Sequence, residues 1–183
     1  MDSKLKMFVG EVNSVLARCR TEDKLFECLQ GPFRELISVD DWLSPRFAQP
    51  HHTYYQQYLL HADPEERFSI VSFVWGPGQK TPIHNHTVWG MIGVLRGAEI
   101  GIRYARPTPG MPMQAIGEER LEPGMIDFVS PTVGDIHAVR NAFDDRVSIS
   151  VHVYGANIGK VAREVYDAAT GVGKLFVSGF SNA

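Results

Sequence analysis

Cysteine is nearly absent from this chain of 183 residues, which contains only Cys19 and Cys28. Both fall in segments of helical pattern, far in sequence from the histidines. They read as a free, reduced pair in a cytoplasmic protein, not as a disulfide or as metal ligands. No apolar run approaches the ~20 residues that cross a bilayer, which argues against a membrane-spanning role. The opening residues, from Met1 to Phe8, lack the apolar core and small-residue cleavage site of a signal peptide. Neither sign of charge dominates: 18 Lys and Arg stand against 21 Asp and Glu, a net charge of −3. With no long run of either sign, nucleic acid is not the expected partner. Internal repeats and low-complexity segments are missing too. What remains is an ordinary globular composition, 44% apolar and 21% charged, long enough for one well-buried domain.

The texture changes near Pro50. Before it the pattern is helical, and 1–48 reads as a helical N-terminal segment. Leu5, Phe8, Val12, Val15 and Leu16 recur at helical spacing, with Asp2 or Ser3 as a cap. Thr21 opens a second helix with Leu25, Cys28, Leu29 and Phe33 on one side. Pro32 is expected to bend or break it near Gly31, and 36–43 suggests another short turn of helix. After Pro50 come short runs rich in β-branched and aromatic residues, punctuated by Gly and Pro. Strands are expected over 54–62, 67–75, 91–95, 98–104, 125–129, 137–140 and 147–154. A last hairpin is expected from 161–167 and 174–177, and 106–112 reads as a Pro-rich loop. Many short strands without interleaved helices predict an all-β core, a small barrel or double-sheet jelly roll spanning 50–183. The helices would pack on its outside.

Two stretches carry chemistry. In Ile83-His84-Asn-His86 the two imidazoles are two residues apart in extended chain, so they share a face and make half of a metal site. In Ser150-Val-His152-Val-Tyr154 three polar side chains alternate with valines and also share a face. That face can be buried only if the three groups satisfy one another, as a Ser–His–Tyr relay does. The relay leaves the tyrosine hydroxyl as a positioned donor.

These residues bear a family resemblance. Gly78, His84, His86 and Gly97 fall in register with the first cupin motif, and His137, between Gly134 and Asn141, matches the histidine of the second. The chain resembles cupins, and within them the thiol dioxygenases that include cysteine dioxygenase. The resemblance implies a double-stranded β-helix carrying one mononuclear Fe(II) on His84, His86 and His137. It implies that a small thiol and O2 meet there and that both oxygen atoms end on sulfur as a sulfinate. Ser150, His152 and Tyr154 match the family's triad. No organic cofactor is implied. The chain departs from the general cupin pattern at Gly90, which stands where the motif has Glu. Three neutral imidazoles would leave the metal charge uncompensated and favour a thiolate ligand; Gly90 is otherwise a relief of crowding. In animal members a cysteine is cross-linked to the triad tyrosine. The matching place falls at Gly90 or Met91, so Tyr154 is expected to stay an unmodified phenol.

Substrate choice turns on two more positions. Gln57 resembles the place where cysteine-specific members carry a carboxylate-binding arginine. Arg163 resembles the arginine of the bacterial branch that prefers 3-mercaptopropionate, unless it is a surface ion pair with Glu164 or Asp167. 3-Mercaptopropionate is the expected substrate, with cysteine and mercaptosuccinate as alternatives. A metallocupin of other chemistry and a non-catalytic sensing cupin remain further classes. His51, His52 and His61 read as solvated or structural, and Trp89 as a pocket wall or an ordinary core aromatic.

Overall fold

The computed structural model describes residues 1–182. Two helices come first, α1 (Ser3–Arg18) and α2 (Glu22–Ile37). The Asp2 side chain caps α1 by accepting from the Lys4 N–H at 2.8 Å, an orphan donor of the first turn. Contrary to expectation, α2 runs without a break through Pro32, and Leu36 and Ile37 form its last turn rather than a separate helix. Pro32 leaves the Cys28 carbonyl without its helical partner, at a cost of ~3 kcal/mol. Six apolar side chains of α2 are buried, Leu25, Phe26, Leu29, Phe33, Leu36 and Ile37. Burial at roughly 1.5–3 kcal/mol per side chain outweighs the proline. The Trp42 indole N–H donates to the Leu36 carbonyl at 2.7 Å and so satisfies one group at the end of the helix.

Eleven strands follow among the described residues: β1 (Gln56–Ala62), β2 (Ser69–Trp75), β3 (Ile83–His84), β4 (Gly90–Arg96), β5 (Glu99–Tyr104), β6 (Ala115–Leu121), β7 (Ile126–Val129), β8 (His137–Asn141), β9 (Ser148–Tyr154), β10 (Arg163–Tyr166) and β11 (Gly173–Phe176). They form two sheets, of order β1-β2-β9-β4-β7 and β11-β10-β3-β8-β5-β6, and every strand pairing is antiparallel. The result is the double-stranded β-helix expected from the resemblance. One strand, β6, was not foreseen, and β3 is shorter than the extended stretch expected around the histidine pair. β6 exposes all but its last residue, and its Glu and Arg side chains suit a solvated sheet edge while hiding the alternation. β3 is only two residues long.

Strand β9 is the hub, since it pairs with β2 on one side and β4 on the other. Every residue in it is buried because both faces are covered. Ile149, Val151 and Val153 point outward into the core shared with α1 and α2. Ser150, His152 and Tyr154 point between the sheets. The helices lie close on the outer face: a Cβ at Gly93 of β4 would stand 2.7 Å from Ile37 and 2.9 Å from Phe33. The expected packing of the helical segment outside the barrel is therefore observed.

Candidate metal centre and pocket

His84 and His137 face each other across the β3–β8 pairing. His86 lies beyond the end of β3, so the simple picture of two histidines along one strand needs correction. A turn brings it back. The Asp135 carboxylate accepts from the backbone N–H of His86 at 3.2 Å and of Thr87 at 2.9 Å. Thr87 sits at φ 60°, an uncommon region for a β-branched residue. The three rings converge with centroids 4.7–4.9 Å apart, and one nitrogen from each lies within 4.8 Å of the others.

The tautomers follow from the backbone. His84 Nδ1 lies 3.0 Å from the Pro82 carbonyl, and His86 Nδ1 lies 3.1 Å from the Asp135 carbonyl. A carbonyl only accepts, so each Nδ1 carries the proton and each Nε2 keeps a lone pair. His86 Nε2 is buried with no partner among the described residues. Burial pushes the His84 pKa down to about 4 and the pKa values of His86 and His137 well below the usual range. The imidazoles are thus neutral and ligand-ready at physiological pH. An orphaned, buried lone pair beside two neighbouring imidazoles fits a borderline metal ion.

Gly90 contributes no ligand, and the structure shows why it is small. A Cβ there would stand 2.8 Å from Tyr154 Cδ1 and 2.9 Å from Val129 Cγ2. The Tyr154 ring occupies the space that a longer residue would need, so the crowding explanation holds.

The relay forms as expected. Tyr154 Oη lies 2.7 Å from His152 Nδ1, and His152 Nε2 lies 2.9 Å from Ser150 Oγ. Phe73 stacks on the His152 ring at 4.2 Å between centroids and fixes its plane. The Trp75 indole N–H donates to Ser150 Oγ at 3.1 Å. Burial pushes the His152 pKa down to about 3 and that of the Tyr154 phenol well up, so both are neutral at physiological pH.

A pocket opens over His84, His137, His152 and Tyr154, with Arg163 and Gln57 in its wall. Arg163 is 5% exposed and pairs with neither Glu164 nor Asp167. Glu164 accepts from the Tyr166 hydroxyl and Asp167 holds the turn at Thr170. The guanidinium lies 4.7 Å over the Phe176 ring and donates to Ser178 Oγ at 2.8 Å, while its Nε has no partner among the described residues. Gln57 donates its side-chain amide to the Gly179 carbonyl at 2.6 Å. It therefore pins the chain after β11 against β1. Sequence reasoning missed Tyr55, Trp75 and Ser178, all in the pocket wall. It also missed Asp135, although Asp135 lies inside the second motif. Trp89 does not line the pocket; it meets Phe26 edge-on at 6.3 Å in the outer core. His51 and His52 are exposed and His61 half-buried.

The family model for cysteine dioxygenase type I matches residues 38–167. Among solved structures, the TT1209 protein of Thermus thermophilus is similar at 21% identity and TM-score 0.47, over 61% of this chain and 92% of that one. An uncharacterized conserved protein of Klebsiella pneumoniae with a double-stranded β-helix domain gives 16% and 0.47, over 74% and 96%. A cupin domain from Bordetella pertussis gives 17% and 0.41, over 55% and 92%.

Proposed function

Because the chain belongs to the cysteine dioxygenase type I family, we propose that it is a cytoplasmic, Fe(II)-dependent thiol dioxygenase acting on 3-mercaptopropionate. The observation that carries the substrate is Arg163. A buried guanidinium without a carboxylate partner is costly. A substrate carboxylate would supply the missing partner through parallel hydrogen bonds.

His84, His86 and His137 would hold the iron. When bound, the metal would supply Lewis-acid chemistry that favours the thiolate form of the substrate and the use of O2. The thiol gains both oxygen atoms and becomes a sulfinic acid. Arg163 anchors the far end of the substrate, and the pocket walls exclude water. Tyr154 keeps its proton and presents a hydrogen-bonding hydroxyl, oriented by His152 and Ser150.

The pocket wall also sorts the candidate thiols. Among the described residues no Asp or Glu lines it, so the ammonium of cysteine would find no charge partner there. Arg163 is the only lining cation among them, whereas mercaptosuccinate brings a second carboxylate. Gln57 is neutral and already engaged with Gly179. The kcat/KM for 3-mercaptopropionate should exceed that for cysteine by at least ~10-fold, a difference of ~1.4 kcal/mol at the transition state.

Arg163→Ala tests the assignment. It should damage turnover of 3-mercaptopropionate and leave that of cysteamine, a thiol with no carboxylate, nearly unchanged. Equal losses for both thiols would remove Arg163 from the substrate site.

A further inference from the structure

Cys19 and Cys28 are the two thiols of this chain, and the site described above uses neither. Both are free. Cys19 follows the last residue of α1 in extended conformation, with its N–H donating to the Val15 carbonyl at 2.8 Å. Cys28 stands in the second turn of α2. The fold brings Cys19 Sγ to 3.7 Å from Cys28 Sγ and to the same distance from the Lys24 carbonyl oxygen. Each thiol is half-buried and packs against the apolar cluster that α1 and α2 share with the five-stranded sheet.

This placement favours one oxidation product. The sulfurs already touch, and a disulfide of ~2.05 Å requires them to close by only ~1.7 Å. Cys19 lies past the helical ladder, beside the exposed Arg20 and Thr21, so one end of the pair can give without unwinding a helix. A disulfide is neutral and suits the apolar cluster. A sulfinate on either cysteine would place an anion there and lose its hydration.

We propose that Cys19 and Cys28 are a reversible redox site, which a peroxide closes into an intramolecular disulfide that staples the end of α1 to α2. One thiolate attacks hydrogen peroxide. The S–O bond forms, the O–O bond breaks, and the departing hydroxide takes up a proton as water. The other sulfur then attacks the sulfenic acid, so that the S–S bond forms, the S–O bond breaks and a second water leaves. Two thiols and one peroxide give one disulfide and two waters. The two sulfurs together lose two electrons and the peroxide oxygens gain them. A reducing compartment keeps the pair as thiols, and the bond forms under oxidative load. Once formed, it fixes the helical layer that covers β4 and β9.

The pair acts independently of any reaction at the histidines. The test uses the full-length chain without added metal, treated with hydrogen peroxide and then with an alkylating reagent. Arg20 and Lys24 lie between the cysteines, so trypsin leaves them on two peptides, 19–20 and 25–34, that only a disulfide holds together. Neither peptide contains methionine. The expected product is a monomer lighter by ~2 Da across the linked peptides, with both thiols restored by dithiothreitol. Oxidation should raise the thermal midpoint by ~5 °C, and neither Cys19→Ser nor Cys28→Ser should show that rise. Sulfinic acids on separate peptides, a disulfide between two molecules, or two alkylatable thiols after a dose that oxidises the same chain in urea would overturn the proposal. A midpoint lowered by oxidation would overturn the staple. The wild-type peptide linkage decides even if the variants fold poorly.

Discussion

Tyr154 joins the histidine cluster to the relay, because its ring stacks on His86 at 5.4 Å between centroids while its hydroxyl meets His152. Tyr154→Phe keeps the ring and removes only the hydroxyl. The variant should retain its iron while turnover falls ~10–100-fold, the range for losing an outer-shell partner. Unchanged turnover with full iron would show the hydroxyl to be idle. Asp135 acts differently, through the turn that returns His86 to the cluster. Asp135→Ala should weaken metal affinity by ~10–100-fold with little change in the fold, measured by competition with a chelator. The histidines and the Ser–His–Tyr face were legible because the residue types and their spacing carry the chemistry by themselves. Asp135 was not. An acid two places before a histidine looks solvent-facing until the chain folds so that its carboxylate meets the backbone N–H groups of His86 and Thr87.

At the scale of elements, β9 reads clearly because its apolar and polar residues alternate and both sets are used. The short β3 does not, since two residues are too few to show a period. The helix α2 shows tertiary packing overriding a local breaker. Leu25, Leu29, Phe33 and Leu36 lie on the face that meets the sheet, and that burial carries the chain through Pro32. Pro32→Ala restores the N–H that Cys28 lacks. It should raise the unfolding free energy by ~1–3 kcal/mol, read from denaturant unfolding as a higher midpoint at constant slope. A lower midpoint would mean that Pro32 contributes packing that outweighs the missing bond.

Taken as a whole molecule, the barrel provides a buried interior between two sheets, and the helices cover the outer face of one of them. This arrangement keeps β9 covered on both sides. It holds the histidines neutral by desolvation and leaves Arg163 short of a partner where a small acid can reach it. No described helix is long and apolar enough to cross a membrane. The all-β class and the position of the helices follow from pattern alone, whereas the burial of Arg163 follows from how β10 and β11 close over the pocket. Sequence spacing cannot show that closure.

The most direct measurement is oxygen uptake by the anaerobically iron-reconstituted protein, against a panel of small thiols, with the product identified by mass spectrometry. One O2 consumed per 3-mercaptopropionate, with both oxygen atoms on the sulfinate and slower turnover of cysteine, is the predicted result. A fully iron-loaded protein that consumes no oxygen with any thiol of the panel would contradict the account. A preference for cysteine would keep the chemistry and overturn the choice of 3-mercaptopropionate over cysteine.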